Sequence, residues 1–355
     1  MKRQLLGVAA FMLALSAHAQ DNPLWMRYCA ISPDGTSIAF TYKGDIYTVP
    51  VNGGKAAQIT TNAAHDTHPV WSPDGKQIAF ASDRMGSMDI FVVDREGGIP
   101  KRLTTHSGNE TPVAFKDADH ILFLANVMPS AEDAQFPSGQ FQQVYEVSTT
   151  GDRPVMFSSM PMEDISINKT GNALLYHDKK GYEDPWRKHH TSSITRDIWL
   201  CSLDGKRSYR KLTSFNGEDR TPVWASDGKS FYYLSEEKGS FNVFKRALDG
   251  TTSTQLTHHT KHPVRFLTAA DNGTLCYGYD GEIYTMKEGT EPRKVQISIL
   301  TDKNDKDLIR QIRRNGATEI ALSPDAKEVA FILRGDVYVT SVEYKTTKQI
   351  TNTPC

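Results

Sequence analysis

The sequence has no second long apolar run and no excess of positive charge. These two absences argue against a membrane-spanning protein and against a nucleic-acid-binding protein. Beyond the N-terminus, no stretch approaches the roughly 20 apolar residues that a membrane-spanning helix needs. The formal net charge is −1, whereas nucleic-acid binding calls for a basic surface. Neither a membrane span nor a nucleic-acid partner is therefore predicted.

Familiar catalytic and cofactor motifs are also absent. The sequence has no His-Glu-x-x-His, no Gly-x-Ser-x-Gly turn and no glycine-rich phosphate loop between a strand and a helix. His258, His259 and His262 lie close together, but they lack the carboxylate or thiolate that usually completes a zinc site. We therefore predict no catalytic residue, cofactor or metal site within this chain.

Cysteine is scarce, with four residues in the chain. Cys29, Cys201 and Cys276 fall on predicted strands of three different repeats, and Cys355 is the last residue. An oxidising compartment would permit disulfides. This placement favours buried or free thiols, because an unpaired cysteine behaves as a small hydrophobic residue. The disulfide status is left open.

The N-terminus has the pattern of a cleavable secretory signal. A short cationic start precedes an apolar run over residues 5–15, and Ala17 and Ala19 occupy the positions that a signal peptidase recognises. We expect residues 1–19 to be removed after Ala19. The mature chain, residues 20–355, is then expected in the periplasm or outside the cell.

A turn element recurs seven times along the mature chain. Its copies are Ser32-Pro33-Asp34-Gly35, Ser72-Pro73-Asp74-Gly75, Phe115-Lys116-Asp117-Ala118, Asn168-Lys169-Thr170-Gly171, Ser226-Asp227-Gly228, Asp271-Asn272-Gly273 and Ser323-Pro324-Asp325-Ala326. Proline presets φ at such a turn, aspartate bonds to its own backbone, and glycine accepts a positive φ. A fixed period of this kind is typical of a repeat architecture.

Two strand-like elements follow each turn, and a third follows in most repeats. The first is apolar, as in Ile38-Ala39-Phe40, and the second joins an acid or amide to a β-branched and an aromatic residue, as in Asp45-Ile46-Tyr47. The third, as in Ile59-Thr60, closes most repeats. Short runs of this composition between turns are typical of strands.

These repeats predict an all-β, seven-bladed β-propeller of four-stranded antiparallel blades, with six blades as the alternative. One such sheet cannot bury both of its faces alone, whereas sheets packed around an axis cover one another. The first repeat already contains all four strands, so we expect the ring to be closed by packing alone. The last residues resemble the links between repeats, and we expect further domains to follow.

One insertion stands out from the repeats, over residues 182–197. It contains an aromatic residue followed by four cationic or titratable side chains, namely Trp186, Arg187, Lys188, His189 and His190. Arginine and lysine bind carboxylates, arginine in a bidentate manner. These five residues are the candidate substrate-binding site. The alternative is a loop that docks on the propeller rim with Trp186 as its packing anchor.

The repeat pattern resembles the TolB-like propeller repeats of extracytoplasmic proteins. Residues 182–193 of the insertion, followed by Arg196-Asp197-Ile198-Trp199, are similar to the N-terminal propeller of bacterial tricorn protease homologues. The resemblance implies a parent serine peptidase with a PDZ module and protease domains downstream of this chain. It also implies that such propellers admit or align peptides, and that a basic pair holds the peptide carboxylate. Arg187-Lys188 is the nearest candidate pair.

Three functions are therefore kept open. The first is a substrate-gating propeller of a secreted tricorn-like serine peptidase, with peptides or protein partners at the propeller pore. The second is a stand-alone TolB-like binding or scaffold propeller of the cell envelope. The third is the propeller of another hydrolase, of the prolyl-oligopeptidase or amidohydrolase type. Self-association is also left open.

Overall fold

The structure is a computed structural model that describes residues 23–126, 141–182, 184, 186, 194–300, 313–344 and 346–351. These residues form seven four-stranded antiparallel sheets and one two-stranded parallel sheet. Among these residues there is no helix with the length and apolar character to cross a membrane.

Each sheet has its strands in chain order, from an inner strand to an outer one. Sheets one to three comprise β1 (Arg27–Ile31), β2 (Ser37–Tyr42), β3 (Asp45–Pro50) and β5 (Ala57–Gln58); β6 (Asp66–Trp71), β7 (Gln77–Ser82), β8 (Asp89–Asp94) and β9 (Lys101–Arg102); β10 (Glu110–Phe115), β11 (His120–Ala125), β12 (Gln143–Ser148) and β13 (Val155–Ser158). Sheets four to six comprise β14 (Met162–Ile167), β15 (Ala173–Asp178), β16 (Ile198–Ser202) and β17 (Tyr209–Lys211); β18 (Asp219–Trp224), β19 (Ser230–Ser235), β20 (Asn242–Ala247) and β21 (Ser253–Gln255); β22 (Arg265–Ala269), β23 (Leu275–Tyr279), β24 (Glu282–Met286) and β25 (Arg293–Lys294). The seventh sheet comprises β27 (Ala317–Leu322), β28 (Glu328–Leu333), β29 (Asp336–Ser341) and β30 (Thr347–Gln349).

The repeated sequence elements have defined roles in each sheet. In the turn between the first two strands of sheet one, the Ser32 hydroxyl donates to Asp34 Oδ1 at 2.6 Å, and Gly35 has a φ of 71°. The closing threonine links the third strand to the end of the fourth, because Thr60 Oγ1 accepts the Ile46 N–H at 2.9 Å. The equivalent threonines Thr104, Thr213, Thr257 and Thr351 make the same bond.

Six apolar clusters among the described residues hold the sheets together, and each lies between two neighbouring sheets. The sequence pattern requires this, because the second strand of each of sheets one to six is buried on both faces. In β2, for example, Ile38, Ala39 and Phe40 are all fully buried. Apolar area removed from water contributes about 25 cal/mol per Å², so this packing is the main source of stability.

The six clusters form a closed circle. One of them joins sheet six to sheet one, through Met26 and Phe40 on one side and Ile283 and Val295 on the other. A short parallel pairing reinforces this junction, in which β26 (Ile297–Ser298) lies beside β4 (Gly54–Lys55). The expected closure by packing alone is therefore wrong, because backbone hydrogen bonds also close the ring.

The predicted seven-bladed ring is not confirmed. The seven repeats do form seven four-stranded sheets, but sheet six packs on sheet one, so the ring closes with six blades, the alternative count. In the described part of the chain, the seventh sheet belongs to none of the six clusters. Its inner strand exposes Ile320 by 72% and Leu322 by 61%, whereas the equivalent Cys29 and Ile31 of blade one are buried.

Carboxyl groups are buried where one blade meets the next. Glu110, on the inner strand of blade three, is fully buried next to Asp89 of blade two. Burial raises the pKa of Glu110 to about 7, and the nearby Asp89 charge adds to the increase. Asp219 has the same arrangement between blades four and five, and burial likewise raises its pKa to about 7. These groups favour their neutral form in the folded ring.

The first prediction concerns the independence of the ring from the seventh sheet. A chain ending at Leu300 should unfold cooperatively at the same urea concentration as the chain ending at Cys355, and it should bind less hydrophobic dye. A chain ending at Thr260 lacks blade six and should lose cooperative unfolding, because two apolar faces are then unpaired. A strong loss of stability in the Leu300 chain would contradict the six-bladed closure.

The second prediction concerns the buried carboxyl groups. A folded-state pKa above the unfolded value stabilises the protein at low pH, and this stabilisation is lost as the pH rises through the folded pKa. Relative to the native chain, Glu110→Gln should therefore gain stability between pH 4.5 and pH 7, by about 2–3 kcal/mol. Urea unfolding at several pH values measures this, with exposed Glu291→Gln as control. A pH-independent difference would contradict the prediction.

Candidate functional site

The inner strands of the six blades meet around the central axis, and each of them carries a bulge. The pairing of the first and second strands is shifted in every blade. In five of the six blades, the bulged residue has a positive φ although it is not glycine; these residues are Tyr28, His68, Asp164, Thr221 and Phe266. A β-bulge bends a strand and redirects a side chain, and here the redirected side chains meet those of neighbouring blades.

Aromatic rings from three consecutive blades meet on one side of the axis. The centroids of the Tyr28 and His68 rings lie 3.6 Å apart, and those of Tyr28 and Phe266 lie 4.8 Å apart. Burial lowers the pKa of His68 to about 4, with the Asp164 charge acting in the opposite direction. His68 is therefore neutral at physiological pH and forms part of an uncharged aromatic stack.

Polar groups meet on the other side of the axis. The Thr221 hydroxyl donates to Asp164 Oδ2 at 2.6 Å, and His177 Nδ1 accepts the Thr221 N–H at 3.2 Å. His177 Nε2 lies 3.2 Å from Glu163 Oε2. Burial opposes ionisation of Glu163, but His177 and the nearby Lys179 outweigh it and hold the pKa of Glu163 well below its ordinary range.

Two buried arginines complete this polar side. Arg196 Nη1 lies 3.0 Å from Glu218 Oε1, and Arg220 Nη1 lies 3.6 Å from the same oxygen. The Arg220 guanidinium also stacks on Phe241, 4.1 Å from the ring centroid. Breaking a buried ion pair by removing one partner is strongly destabilising. These groups therefore form a rigid base rather than a free binding surface.

Trp186 lies over the axial end of the inner strands, next to two further arginines. The guanidinium carbons of Arg27 and Arg265 lie 5.1 Å and 4.9 Å from the centroid of its ring. Arg265 Nη2 also donates to the Trp186 carbonyl at 2.8 Å, and the Phe266 ring meets the indole edge to face. Trp186 belongs to the insertion of blade four, whereas Arg27 belongs to blade one. The insertion therefore reaches across the axis to the opposite side of the ring.

Hydrogen bonds and ion pairs hold the two ends of this insertion together at blade four. Lys180 Nζ donates to the Thr195 carbonyl at 2.6 Å and to Asp197 Oδ2 at 2.5 Å. Asp197 also accepts a second cation, because Lys211 Nζ lies 2.8 Å from the same oxygen. The insertion is thus fixed both at its base in blade four and at Trp186. We call the region formed by Arg27, Arg265, Phe266 and Trp186 the basic mouth.

The turns between the first and second strands lie at the opposite end of the axis. Those of blades one, two and six border a depression of about 370 Å³, which is lined by Pro33, Asp34, Pro73, Asp74, Asp271 and Asn272. A hydrogen bond from Ser32 holds the pKa of Asp34 below its ordinary value, and Ser72 does the same for Asp74. Lysines accompany these carboxylates, since Lys76 Nζ lies 3.4 Å from Asp74 Oδ2 and Lys169 Nζ lies 3.0 Å from Asp271 Oδ2.

Of the five predicted site residues, the structure describes Trp186. Arg187, Lys188, His189 and His190 lie outside the described residues. Trp186 does act as a packing anchor, but it docks at the axis rather than on the outer rim. In the described residues, no group of three His, Cys, Asp or Glu side chains is arranged to hold a metal ion. His259 instead stacks on Tyr279, with 3.8 Å between ring centroids.

Arg27 and Arg265 were not among the site residues predicted from the sequence. Each directly precedes the bulged residue of its inner strand, and Arg220 occupies the same position in blade five. Superimposing the repeats at this column shows Glu163 as well as the three arginines, so charge recurs before the bulge in blades one, four, five and six. A single repeat does not reveal this recurrence.

Comparison with known proteins identifies a family. The family model described as the tricorn protease N-terminal β-propeller domain matches residues 23–292. Tricorn protease homolog 1 of Streptomyces coelicolor is 25% identical over 281 residues, which cover 78% of this chain and 25% of that protein. The tricorn protease of Thermoplasma acidophilum is 25% identical over 332 residues, which cover 90% of this chain and 29% of that protein.

A solved structure shares the fold. The crystal structure of the tricorn protease superimposes with a TM-score of 0.68 and 20% identity, over 94% of this chain and 32% of that one. The chain thus spans between a quarter and a third of the length of these relatives.

The third prediction tests the anchoring of Trp186. Arg265→Ala removes one of the two cation–π contacts of Trp186 and the hydrogen bond to its carbonyl. The indole should therefore become more accessible to solvent. Tryptophan fluorescence should shift to longer wavelength and be quenched more strongly by acrylamide, and Trp186→Phe assigns the signal. The stability loss should be about 1 kcal/mol or less, because the contact is half-exposed. Exposed Arg210→Ala is the matched control, and unchanged quenching in Arg265→Ala would contradict the contact.

Proposed function

The chain belongs to the tricorn protease N-terminal β-propeller family, and from this we propose that it is the substrate-gating propeller of a secreted tricorn-like serine peptidase. Peptides pass or dock at the basic mouth, and the catalytic residues lie in domains outside this chain. The observation that carries the proposal is Trp186, held between Arg27 and Arg265 at the axis by an insertion from the opposite blade.

The chemistry of the basic mouth supports peptide recognition. Guanidinium groups bind carboxylates in a bidentate manner, and the aromatic faces of Trp186 and Phe266 suit apolar peptide side chains. Among the described residues, no carboxylate lies within ion-pair distance of Arg27, which leaves its guanidinium stacked on rings. A peptide with a free carboxylate can replace the indole as the partner of Arg27 and Arg265.

The seventh sheet supports the proposal that this propeller works within a larger protein. Its exposed apolar residues, such as Ile320 and Leu322, are typical of a surface that other protein covers. In a tricorn-like parent chain, this cover would come from the domains that accompany the propeller, including the PDZ and protease domains. The signal pattern of residues 1–19 supports export of that parent protein.

The fourth prediction tests the basic mouth in the full-length enzyme. The double variant Arg27→Ala/Arg265→Ala should lower kcat/KM about tenfold or more for long peptides with a free C-terminal carboxylate, because charge-assisted hydrogen bonds contribute about 1.5–3 kcal/mol each. The same peptides with an amidated C-terminus should be affected much less. Hydrolysis rates of the paired peptides measure this difference, and exposed Arg210→Ala should leave both unchanged.

Two outcomes would oppose the proposal. Equal rate losses for both peptide forms would mean that the arginines act through folding rather than through carboxylate recognition. An immunoblot of source cells that detects a polypeptide no larger than these 355 residues would favour a stand-alone binding propeller. A tricorn-like parent protein requires a band with a mass several times that of this chain.

A further inference from the structure

Two cysteines lie at the junction that closes the ring. Cys29 is on β1, the inner strand of blade one, and Cys276 is on β23 of blade six. Their side chains are 2% and 0% exposed, and both belong to the apolar cluster between these two blades. Nearly the whole ring separates them in sequence, yet they meet in the same core.

The backbones around these cysteines are bonded across the junction. The Cys29 thiol donates to the Phe266 carbonyl, with 3.5 Å between sulfur and oxygen, and the Ile31 N–H donates to Thr268 Oγ1 at 3.1 Å. Thr268 in turn pairs with Cys276 in the register of β22 and β23. Met26 N also donates to the Gly281 carbonyl at 3.1 Å. These bonds hold the two strands in a fixed relation.

Both cysteines are free thiols in the structure, and they lie in the same apolar cluster between blades one and six. Burial raises the pKa of the Cys276 thiol well above its ordinary value, and the nearby Cys29 thiol raises it further.

The third described cysteine shows that this pairing is not general in the protein. Cys201 is equally buried, at 1% exposure, but it lies in the cluster between blades three and four. No other described cysteine belongs to that cluster, and the Cys201 thiol donates to the carbonyl of the next residue, Ser202, at 3.4 Å. Cys201 therefore serves as an internal control.

We propose that Cys29 and Cys276 form a disulfide bond that joins blade one to blade six covalently. The two thiols lose two protons and two electrons as the S–S bond forms. The electrons pass to a disulfide oxidant, either a small-molecule disulfide or a protein disulfide carrier, which is reduced to two thiols by way of a mixed disulfide. The sequence pattern of residues 1–19 is typical of a signal for export to a compartment where such oxidants act.

The bond has to form while the chain folds. Thiol–disulfide exchange proceeds through the thiolate, and the closed ring leaves Cys276 buried and protonated. An oxidant reaches these thiols before blade six packs on blade one. Once formed, the bond stabilises the ring strongly, because a cross-link between residues distant in sequence removes much of the entropy of the unfolded chain.

The fifth prediction is a thiol assay on residues 20–355. The chain is refolded in a mixture of oxidised and reduced glutathione, quenched with acid, denatured and alkylated without reductant, and its peptides are analysed by mass spectrometry. We expect loss of alkylation at Cys29 and Cys276 and a cross-linked peptide that contains both, lighter by two hydrogens. Cys201 should remain alkylated. The oxidised chain should unfold at a higher urea concentration than the reduced chain.

Cysteine variants distinguish the effect of the disulfide bond on stability from the effect of side-chain packing. Cys201→Ser should keep the cross-link and its shift in the urea midpoint, whereas Cys276→Ala should lose both and leave Cys29 alkylated. The assay on the native chain needs no variant, and it can be repeated on protein exported by its own residues 1–19. Full alkylation of Cys29 and Cys276 under these conditions would overturn the proposal. A cross-link of either residue to Cys201 or Cys355 at similar yield would do the same.

Discussion

The packing of blade six on blade one is the interaction on which the rest of this structure depends. Each blade buries both faces of its middle strands, so every blade requires a neighbour on each side. Only closure supplies the last neighbour. The structure meets this requirement with an apolar cluster and with the short pairing of β26 and β4. The seventh sheet lies outside this circle, and its apolar inner strand is correspondingly exposed.

Closure of the ring also determines which side chains meet at the axis. Six inner strands converge at one point, and their bulges bring Tyr28, His68 and Phe266 into one stack and Asp164 and Thr221 into one hydrogen bond. A strand in isolation would give these residues no common surroundings. The basic mouth follows from the same convergence, because it joins Arg27 of blade one, Arg265 of blade six and Trp186 from the insertion of blade four.

The insertion of blade four connects this ring geometry to function. Its base is held by Lys180 and Asp197 in its own blade, while Trp186 contacts arginines of blades one and six. A segment held on both sides of the axis can respond to a ligand at the axis, because displacement of one indole changes the surroundings of two guanidinium groups. Insertions placed on a rigid scaffold commonly carry recognition in this way.

Much of the fold could be predicted from the repeats, and much less of the site could. The Ser32–Asp34 turn and the Thr60 bond recur because they are local, made by residues close together in the chain. Trp186 could be identified because it belongs to a segment that breaks the repeat. Its partners Arg27 and Arg265 could not, because they lie far away in the sequence and meet only after the ring has closed.

The sequence by itself determined the strands, their turns and the number of four-stranded sheets, since each depends on short-range hydrogen bonds and on alternating burial. Only the tertiary structure decided that six sheets and not seven form the ring. The number of blades depends on how sheet twist and inter-sheet packing add up around the axis, and no single repeat encodes that sum. The shared burial of Cys29 and Cys276 and the convergence on Trp186 follow from that closure.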